Sequence, residues 1–487
     1  MKLIDEDSNP LKKIKTEKDL CEAIGVNKGH LYYILYDIGV KNRYKHFNIP
    51  KKNGGVRSIS SPKKGLGVAL NGLRILLSEN IEFKQSVNGF IEERGIIKNA
   101  IVHKRARWVL NLDIEDFFGS INFGRVRGVF LAKPFEMPEK VATLIARIAT
   151  LENALPQGSH ASPVISNIIA SSLDNKLLKI AKKYRVKYTR YADDITFSGF
   201  SSINKELAYI SDGQTVLGDA INSVFSKSGF SVNQSKLRLQ YPATRQEVTG
   251  LVVNKKVNIP VEFKKKLRSA IHQWCINPED AERHFLYNVL GKDDVKVSEG
   301  GVLLKRNIYG RLSYIAQAKG DDDPTYVNMA MKMGRHDPEP PKFLRSIMSK
   351  YHEYQVFICH ASEDKEEIAH PLYDELTARG LSVFIDSKAI RWGDSLVDTI
   401  NSALYKAKLV VAIVSESSVE KSWPQREINS VLAREINGES KLLVLVNGDA
   451  DTLLGRFALL QDKLYRSWDN NAAGLAEEIV EIQAQVR

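Results

Sequence analysis

Residues 187–198 read Lys-Tyr-Thr-Arg-Tyr-Ala-Asp-Asp-Ile-Thr-Phe-Ser, so two apolar and aromatic runs flank the acidic pair Asp193-Asp194. Such runs around a short polar step predict two strands joined by a tight turn. Adjacent carboxylates inside so apolar a hairpin are costly unless positive charge neutralises them. Two divalent cations, with a third carboxylate from a neighbouring strand, would complete such a site. For this stretch alone, a solvent-exposed hairpin turn is the alternative interpretation.

Two upstream segments favour the metal site. Residues 108–118 read Trp-Val-Leu-Asn-Leu-Asp-Ile-Glu-Asp-Phe-Phe, with an apolar strand ending at Asp113, and residues 155–158 read Leu-Pro-Gln-Gly. In this order, the three segments resemble the motifs of reverse transcriptases, whose palm sheet carries three catalytic aspartates. The resemblance implies that Asp113 and Asp193 bind two Mg²⁺ ions and that Asp194 lies beside them. It also implies the α+β right-hand fold of a polymerase, with fingers, palm and thumb.

The resemblance further implies a set of residues that bind the incoming deoxynucleoside triphosphate (dNTP). Phe118 occupies the position of an aromatic gate that clashes with a ribose 2′-hydroxyl, with a simple core phenylalanine as the alternative. Arg57, in a predicted basic β-hairpin, would hold the triphosphate as a bidentate guanidinium, with a solvated hairpin charge as the alternative. Gln157 and Gly158 would line the nucleotide and the template. Lys236 would act near the pyrophosphate as a general acid.

Two shorter motifs resemble those of retron reverse transcriptases. Residues 99–103 read Asn-Ala-Ile-Val-His, just before the first catalytic strand, and residues 248–250 read Val-Thr-Gly. Retron enzymes prime on a folded noncoding RNA through a 2′-hydroxyl and copy part of it, which leaves DNA joined to RNA (msDNA) and bound to the enzyme. By this resemblance, Asn99 and His103 contact the nucleic acid. A reverse transcriptase related to group II introns is the alternative.

Charge is divided unevenly along the chain. Residues 351–487 hold 14 Lys and Arg against 22 Asp and Glu, a net charge of −8. The whole chain carries +12, which leaves +20 for residues 1–350. An excess of this size favours a polyanionic partner, because neutralised phosphates release counterions. The basic residues of a predicted thumb, expected to grip the RNA–DNA duplex through its phosphates, include Lys264, Lys265 and Arg268.

A chain of 487 residues is too long for a single core, since cores stop growing near ~250–300 residues, so a multidomain protein is expected. We predict an N-terminal helical segment at 1–50 and a reverse transcriptase at 51–318. Its fingers and palm extend to about residue 250, and its thumb covers about 255–318. A linker that contains a proline-rich stretch is predicted at 319–352, before a C-terminal domain at 353–487.

Short apolar runs alternate with helical stretches in residues 354–487, which predicts an α/β domain with a parallel sheet. These runs, followed by Ser-Trp-Pro-Gln-Arg-Glu at 422–427, resemble a TIR domain of flavodoxin-like fold. Some TIR domains are self-associating scaffolds and others cleave NAD⁺. Glu427, four residues after Trp423 on one helix face, matches the catalytic glutamate of the enzymes, with a solvated surface acid as the alternative. The residues that would line the NAD⁺ pocket, or else cap a helix or fill a loop, are Ser362, Asp386, Trp392 and Trp423.

Together these resemblances predict a retron antiviral effector. In this hypothesis the msDNA restrains or triggers the TIR domain, which oligomerises when active and depletes NAD⁺ on phage infection to cause abortive infection. A non-catalytic TIR interaction module is the alternative. No apolar run is long enough to span a membrane, and no signal peptide is visible. Because the three cysteines are spaced for neither disulfides nor zinc, a cytoplasmic location is expected.

Overall fold

The computed structural model of the chain describes residues 1–5, 8–50, 54–291, 296–351, 354–386, 400, 403–404, 407–420, 431–432, 435, 440–456, 460 and 463–485. The chain forms two compact units. Unit 1 comprises Met1–Ala270 and Val302–Asp322, and unit 2 comprises Ile271–Gly301 and Asp323–Arg487.

Unit 1 mixes short strands with helices. Its strands are β1 (Lys2–Leu3), β2 (Tyr44–Pro50), β3 (Val56–Pro62), β4 (Ile81–Glu82), β5 (Trp108–Asp113), β6 (Lys187–Tyr191), β7 (Asp194–Gly199), β8 (Ala208–Ser211), β9 (Gln214–Leu217), β10 (Arg238–Gln240), β11 (Glu247–Val248) and β12 (Leu251–Val252). The helices up to residue 319 are α1 (Pro10–Lys13), α2 (Glu17–Ala23), α3 (Lys28–Tyr32), α4 (Val40–Arg43), α5 (Lys64–Asn80), α6 (Ile96–Ile101), α7 (Phe123–Leu131), α8 (Glu139–Ala149), α9 (Ser162–Lys183), α10 (Asp219–Ser226), α11 (Val261–Ile276), α12 (Pro278–His284) and α13 (Val302–Lys319). Of these, α12 belongs to unit 2 and α11 crosses the division between the units.

The centre of unit 1 is a four-stranded antiparallel sheet in the order β10-β5-β7-β6. Strand β5 is a nearly continuous apolar run whose side chains are buried on both faces, as expected of a central strand. Leu110 and Leu112 of β5 and Ile195 and Phe197 of β7 lie in the core of the unit. Helix α9 packs against β6. The α+β fold predicted for the first part of the chain is confirmed.

The predicted basic hairpin is formed by β2 and β3, whose register runs from Tyr44 opposite Pro62 to Pro50 opposite Val56. Helices α1 to α4 lie within the segment predicted to be helical, residues 1–50. The last seven residues of that segment differ from the prediction, because they pair with β3 and belong to the hairpin.

Residues 319–352, predicted to be a linker, contain two helices of unit 2, α14 (Pro324–His336) and α15 (Lys342–Tyr351). The side chain of Asp323 caps the start of α14. The prolines at 338–341 interrupt the chain only locally, between the two helices. Buried side chains of α14 recur at the spacing of one helix face: Tyr326, Met329, Ala330 and Met333.

A five-stranded parallel sheet forms the centre of the C-terminal part of unit 2, in the order β14-β13-β15-β16-β17. Its strands are β13 (Val356–Cys359), β14 (Val383–Phe384), β15 (Leu409–Ser415), β16 (Lys441–Asn447) and β17 (Tyr465–Ser467). Residues of β15 alternate between two apolar clusters, with Val410 and Ala412 in one and Val411 and Ile413 in the other. The strand order is that of flavodoxin-like folds, which confirms the predicted α/β fold.

Helices accompany this parallel sheet. They are α16 (His370–Ala378), α17 (Glu416–Glu420), α18 (Ala450–Gly455) and α19 (Ala472–Gln485). Helices α16 and α19 pack together through Leu372, Leu376, Ala476 and Ile479. Within the described ranges, no helix is both long and apolar enough to cross a membrane.

Candidate active sites

The hairpin at Asp193-Asp194 has the strand–turn–strand form predicted from the sequence. Tyr191 of β6 pairs with Asp194 of β7, which leaves a two-residue turn of Ala192 and Asp193. Ala192 has a φ of +57°, as two-residue hairpin turns require at their first position. On the other side of β7, Asp194 pairs directly with Asp113, the last residue of β5. This register brings two of the three predicted catalytic aspartates opposite one another.

The environment of Asp193 and Asp194 disfavours their negative charges. Loss of hydration, and then the charges of Asp193 and Asp113, raise the pKa of Asp194 to about 7, although the residue keeps exposed surface. Loss of hydration also raises the pKa of Asp193, and the charges of Lys236 and Arg57 oppose that rise. A cluster of this kind is stabilised when a positive charge binds to it.

Lys236 supplies positive charge to the aspartates. Its Nζ donates to Asp113 Oδ2 at 2.7 Å, and its side chain is about half exposed. Although burial opposes the effect, the carboxylate of Asp113 raises the pKa of Lys236. Backbone contacts hold this arrangement, because Asn233 N donates to Asp113 O at 2.9 Å. The structure therefore brings the predicted general acid directly to a predicted metal ligand.

The described side chains supply only part of the set of ligands that a Mg²⁺ ion needs. In the part of the chain that the structure describes, no three His, Cys, Asp or Glu side chains form a group that could hold a metal ion. Asp113 and Asp194 still provide two carboxylates at adjacent positions of the sheet. Mg²⁺ is commonly held by one or two carboxylates together with substrate phosphates and water. The site therefore fits Mg²⁺ that binds together with a nucleotide.

A buried ion pair supports the turn from within the unit. Arg190 of β6 is fully buried, and its Nε and Nη2 donate to Asp174 Oδ1 and Oδ2, each at 2.8 Å. Its Nη1 donates to Ala192 O, in the turn itself, at 3.0 Å and to Asn167 Oδ1 at 2.9 Å. Tyr188 Oη also donates to Asp174 Oδ1, at 2.6 Å. The backbone of the turn is thus tied to helix α9.

Sequence reasoning missed this network. The sequence contains two signals for this network. The first is an arginine inside an apolar strand, which requires a buried partner. The second is a pair of possible partners, Asn167 and Asp174, which are seven residues apart and therefore share one face of α9.

Asn99 and His103 lie inside the protein and not at its surface. Both are fully buried, and His103 Nδ1 and Nε2 are hydrogen-bonded to Ser198 Oγ and Thr189 Oγ1, each at 2.7 Å. Burial lowers the pKa of His103 to about 3, so the ring is neutral at neutral pH. The predicted contact of these residues with nucleic acid has no support in this geometry, because their polar atoms are used within the protein.

The two retron-like motifs meet in space. Asn88 Nδ2 donates to Asn99 Oδ1 at 3.2 Å, and Asn99 Nδ2 lies 3.5 Å from Thr249 Oγ1. Thr249 and Gly250 form a turn between β11 and β12, both with positive φ. The motif at 99–103 therefore links this turn to the strands that carry the aspartates.

The predicted nucleotide-binding residues lie on separate elements of unit 1. Gln157 O accepts from Ser60 N of β3 at 2.7 Å, so the 157–158 segment lies against the fingers hairpin. A Cβ on Gly158, which has a φ of +109°, would lie 2.8 Å from a side-chain carbon of Ile59. Phe118 is partly buried, and Arg57 is exposed near the hairpin tip.

The predicted thumb residues lie on α11. Lys265 and Arg268 are exposed and Lys264 is partly buried. Phe263 of the same helix packs edge-on against Tyr314 of α13, with ring centroids 5.3 Å apart. The aromatic contact holds the helices together and leaves a basic surface exposed.

The C-terminal site is described in part. His360, which follows β13, is hydrogen-bonded through Nε2 to Asp386 Oδ1 at 3.2 Å, and although burial opposes the effect, this bond raises the pKa of His360. Ser415 Oγ at the end of β15 donates to Asp364 Oδ2 at 2.6 Å. Ser362, which lies between His360 and Asp364 in the sequence, is exposed. The predicted residues that lie outside the described residues are Trp392, Trp423 and Glu427.

Comparison with known proteins decides the family. Residues 49–266 match the family model of reverse transcriptase (RNA-dependent DNA polymerase), and residues 356–479 match that of the TIR domain. The retron Ec86 reverse transcriptase of Escherichia coli is 32% identical over 283 residues, which cover 56% of this chain and 84% of that protein. The chain belongs to the retron reverse transcriptases. The predicted resemblances to retron enzymes and to TIR domains are confirmed.

Other relatives match one part of this retron reverse transcriptase. The retron Mx65 reverse transcriptase of Myxococcus xanthus is 33% identical over 294 residues, 55% of this chain and 65% of that relative, so the chain spans slightly less than two thirds of its length. The NAD(+) hydrolase TcpA of Theionarchaea archaeon (strain DG-70-1) is 32% identical over 139 residues. That match covers 28% of this chain and 42% of the hydrolase.

Proposed function

We propose that the chain copies a structured noncoding RNA into DNA that stays joined to RNA, using deoxynucleoside triphosphates. The observation that carries this proposal is the register that places Asp113 opposite Asp194, with Lys236 bound to Asp113 at 2.7 Å. The similarity to retron reverse transcriptases supplies the substrate class.

In this proposal each residue has one task. Two Mg²⁺ ions at the aspartates, when bound, would activate the attacking hydroxyl and stabilise the leaving pyrophosphate. Arg57 holds the triphosphate, and Phe118 excludes a ribose 2′-hydroxyl. Lys236 turns from Asp113 and gives a proton to the departing pyrophosphate.

The RNA partner is held by charge. Residues 1–350 carry a net +20, and the exposed Lys265 and Arg268 of α11, with Lys264, are suited to phosphate contacts. To test the polymerase, we would sequence the nucleic acid that co-purifies with the wild-type chain and with Asp193→Asn/Asp194→Asn. The wild type should carry branched RNA–DNA and the variant RNA alone. Unchanged DNA in the variant would refute the assignment.

We further propose that the TIR domain cleaves NAD⁺ during phage infection, with Glu427 as its catalytic glutamate. Supporting this are the similarity to an NAD(+) hydrolase and the flavodoxin-like strand order, in which ligands bind at the carboxyl ends of the strands. His360 and Asp386 follow two neighbouring strands at that edge. A carboxylate close to the bond between nicotinamide and ribose would stabilise the positive charge that develops on the ribose.

The expected biological setting is a cytoplasmic defence system in which the msDNA controls the TIR domain, which acts as a homo-oligomer. The test is NAD⁺ measurement during infection of cells that carry the wild type or Glu427→Ala. Depletion in the wild type alone supports the proposal. Equal depletion in both contradicts the role of Glu427, and no depletion in either favours a TIR domain that serves only in assembly.

A further inference from the structure

One aromatic residue beside the aspartate turn has no role in the function proposed above. Phe90 ends the segment 86–90, which runs along the outer edge of β6. Arg190 N donates to Ser86 O and Asn88 N donates to Arg190 O, each at 2.8 Å. The segment therefore extends the catalytic sheet by hydrogen bonds to the strand that precedes Asp193.

Contacts of Gly89 fix the position of Phe90 relative to the turn. A Cβ on Gly89 would lie only 2.4 Å from Ala192 N, so the backbone of Gly89 lies directly against the turn. Asn167 Nδ2 donates to Gly89 O at 2.9 Å, while Asn167 Oδ1 accepts from Arg190 Nη1 at 2.9 Å. One buried amide thus joins the residue before Phe90 to the arginine that holds Ala192.

The conformation of Phe90 is unfavourable in itself. Its φ is +61°, a left-handed conformation that bulky side chains rarely adopt, and 46% of the residue is exposed. An exposed ring gains little from burial that could offset this cost. Strain that persists at a residue beside an active site is typical of positions held for function.

The ring of Phe90 faces the proposed gate. Its centroid lies 6.2 Å from that of Phe118, with an interplanar angle of 48°, which is within the range of attractive aromatic pairs. Phe118 also contacts Phe117, at 5.4 Å between centroids, and Phe117 contacts Phe230 at 6.0 Å. Phe118 therefore contacts two rings, the buried ring of Phe117 and the exposed ring of Phe90.

We propose that Phe90 is a sugar-selecting residue, which acts by bracing the ring of Phe118. A gate rejects a 2′-hydroxyl only while its ring cannot move aside, because the group to be excluded is a single oxygen atom. The pairing with Phe90 restricts that movement. This inference rests on the proposed gate role of Phe118.

The test compares incorporation of dGTP and GTP by the full chain on an RNA template with an annealed DNA primer. The variants are Phe90→Ala, Phe90→Tyr, Phe118→Ala and the double alanine variant. The readout is the ratio of kcat/KM for dGTP to that for GTP, which a loss of folded enzyme would not change. Phe90→Ala should lower this ratio about 2- to 10-fold, the worth of one aromatic pair. Phe90→Tyr keeps the ring and should restore it.

The double variant shows whether the two rings act together. If Phe90 acts through Phe118, the double variant should discriminate no worse than Phe118→Ala alone. An unchanged ratio in Phe90→Ala, or additive effects of the two alanines, would overturn the inference and leave the gate intact. An unchanged ratio in Phe118→Ala would instead remove the gate itself, and the inference with it.

Discussion

Lys236 Nζ donates a hydrogen bond of 2.7 Å to Asp113 Oδ2, so the proposed general acid and a proposed metal ligand are in direct contact. The two residues are 123 positions apart in the chain, and the backbone bond from Asn233 N to Asp113 O holds them together. Because the lysine side chain is about half exposed, it can turn from the carboxylate toward a pyrophosphate.

Lys236→Ala should slow single-nucleotide incorporation at saturating dNTP by about 10²- to 10⁴-fold, the usual worth of a positioned general acid. Lys236→Arg keeps the charge and should recover part of the rate. Rapid-quench measurement of the first incorporation tests this. The matched control is Lys205→Ala, an exposed lysine before β8, which should leave this rate unchanged. A Lys236→Ala rate equal to wild type would contradict the assignment.

Asp194→Asn should stabilise the sheet while it abolishes DNA synthesis. The folded-state pKa of Asp194, about 7, lies above its unfolded value. The folded chain therefore binds the proton more tightly, and stability falls as the pH rises from about 4 to about 7. Discounted for solvent screening, the gain in the variant should be about 1 kcal/mol at pH 8 in EDTA.

Hydrogen–deuterium exchange of peptides that cover β5 and β7 measures this gain. The difference between Asp194→Asn and the wild type should shrink as the pH falls toward 4. Asp212→Asn, at the exposed turn between β8 and β9, serves as the control and should leave the protection of these peptides unchanged. A variant that is less protected than the wild type at pH 8 would argue against the charge repulsion.

Arg190→Met should destabilise unit 1 by about 3–5 kcal/mol, because it leaves the buried carboxylate of Asp174 without its partner. Arg190→Met combined with Asp174→Asn should cost less than Arg190→Met alone, since no buried charge remains unpaired. Urea denaturation measures both. The control, Arg127→Met, removes a partner of the exposed Glu139 and should cost at most about 1 kcal/mol. Equal effects at the two sites would contradict the importance of burial.

The neutral, buried His103 should make the sheet sensitive to acid. Its folded-state pKa of about 3 lies below the unfolded value, so the unfolded chain binds the proton more tightly between about pH 6.5 and 3. Each pH unit in that window should remove up to about 1.4 kcal/mol. In His103→Gln this contribution disappears.

Exchange of peptides covering β6 and β7 at pH 7.5 and 5.5 tests the role of His103. The wild type should lose about 1 kcal/mol more than His103→Gln over this interval. The exposed His336→Gln is the matched control and should behave as the wild type does. Identical losses in all three chains would show that His103 is not held neutral.

Much of the polymerase centre could be predicted from the sequence because its signals are local. The hairpin at Asp193-Asp194 and the strand ending at Asp113 are short apolar runs broken at polar residues, and both occur as predicted. The basic hairpin around Arg57 follows from its paired glycines. The two helices within residues 319–352 could not be predicted from the prolines. A proline shows where a helix is interrupted, but it does not show which structure lies on either side.

The polar residues inside the protein could not be predicted in the same way. A motif such as the one at 99–103 has the same letters whether it faces nucleic acid or the interior. Only its burial, and the bonds of His103 to Thr189 and Ser198, decide between the two. The ion pair of Arg190 with Asp174 likewise depends on how α9 packs on β6.

The sequence alone determined the family and the order of the two domains, and it predicted which aspartates serve the polymerase, because residue type and local order carry that information. Tertiary structure alone decided the register that sets Asp113 against Asp194, the contact of Lys236, and the network that joins Asn167, Arg190 and the turn. These contacts link residues far apart in the chain. They form because buried charges and amides must find partners once the apolar strands exclude water.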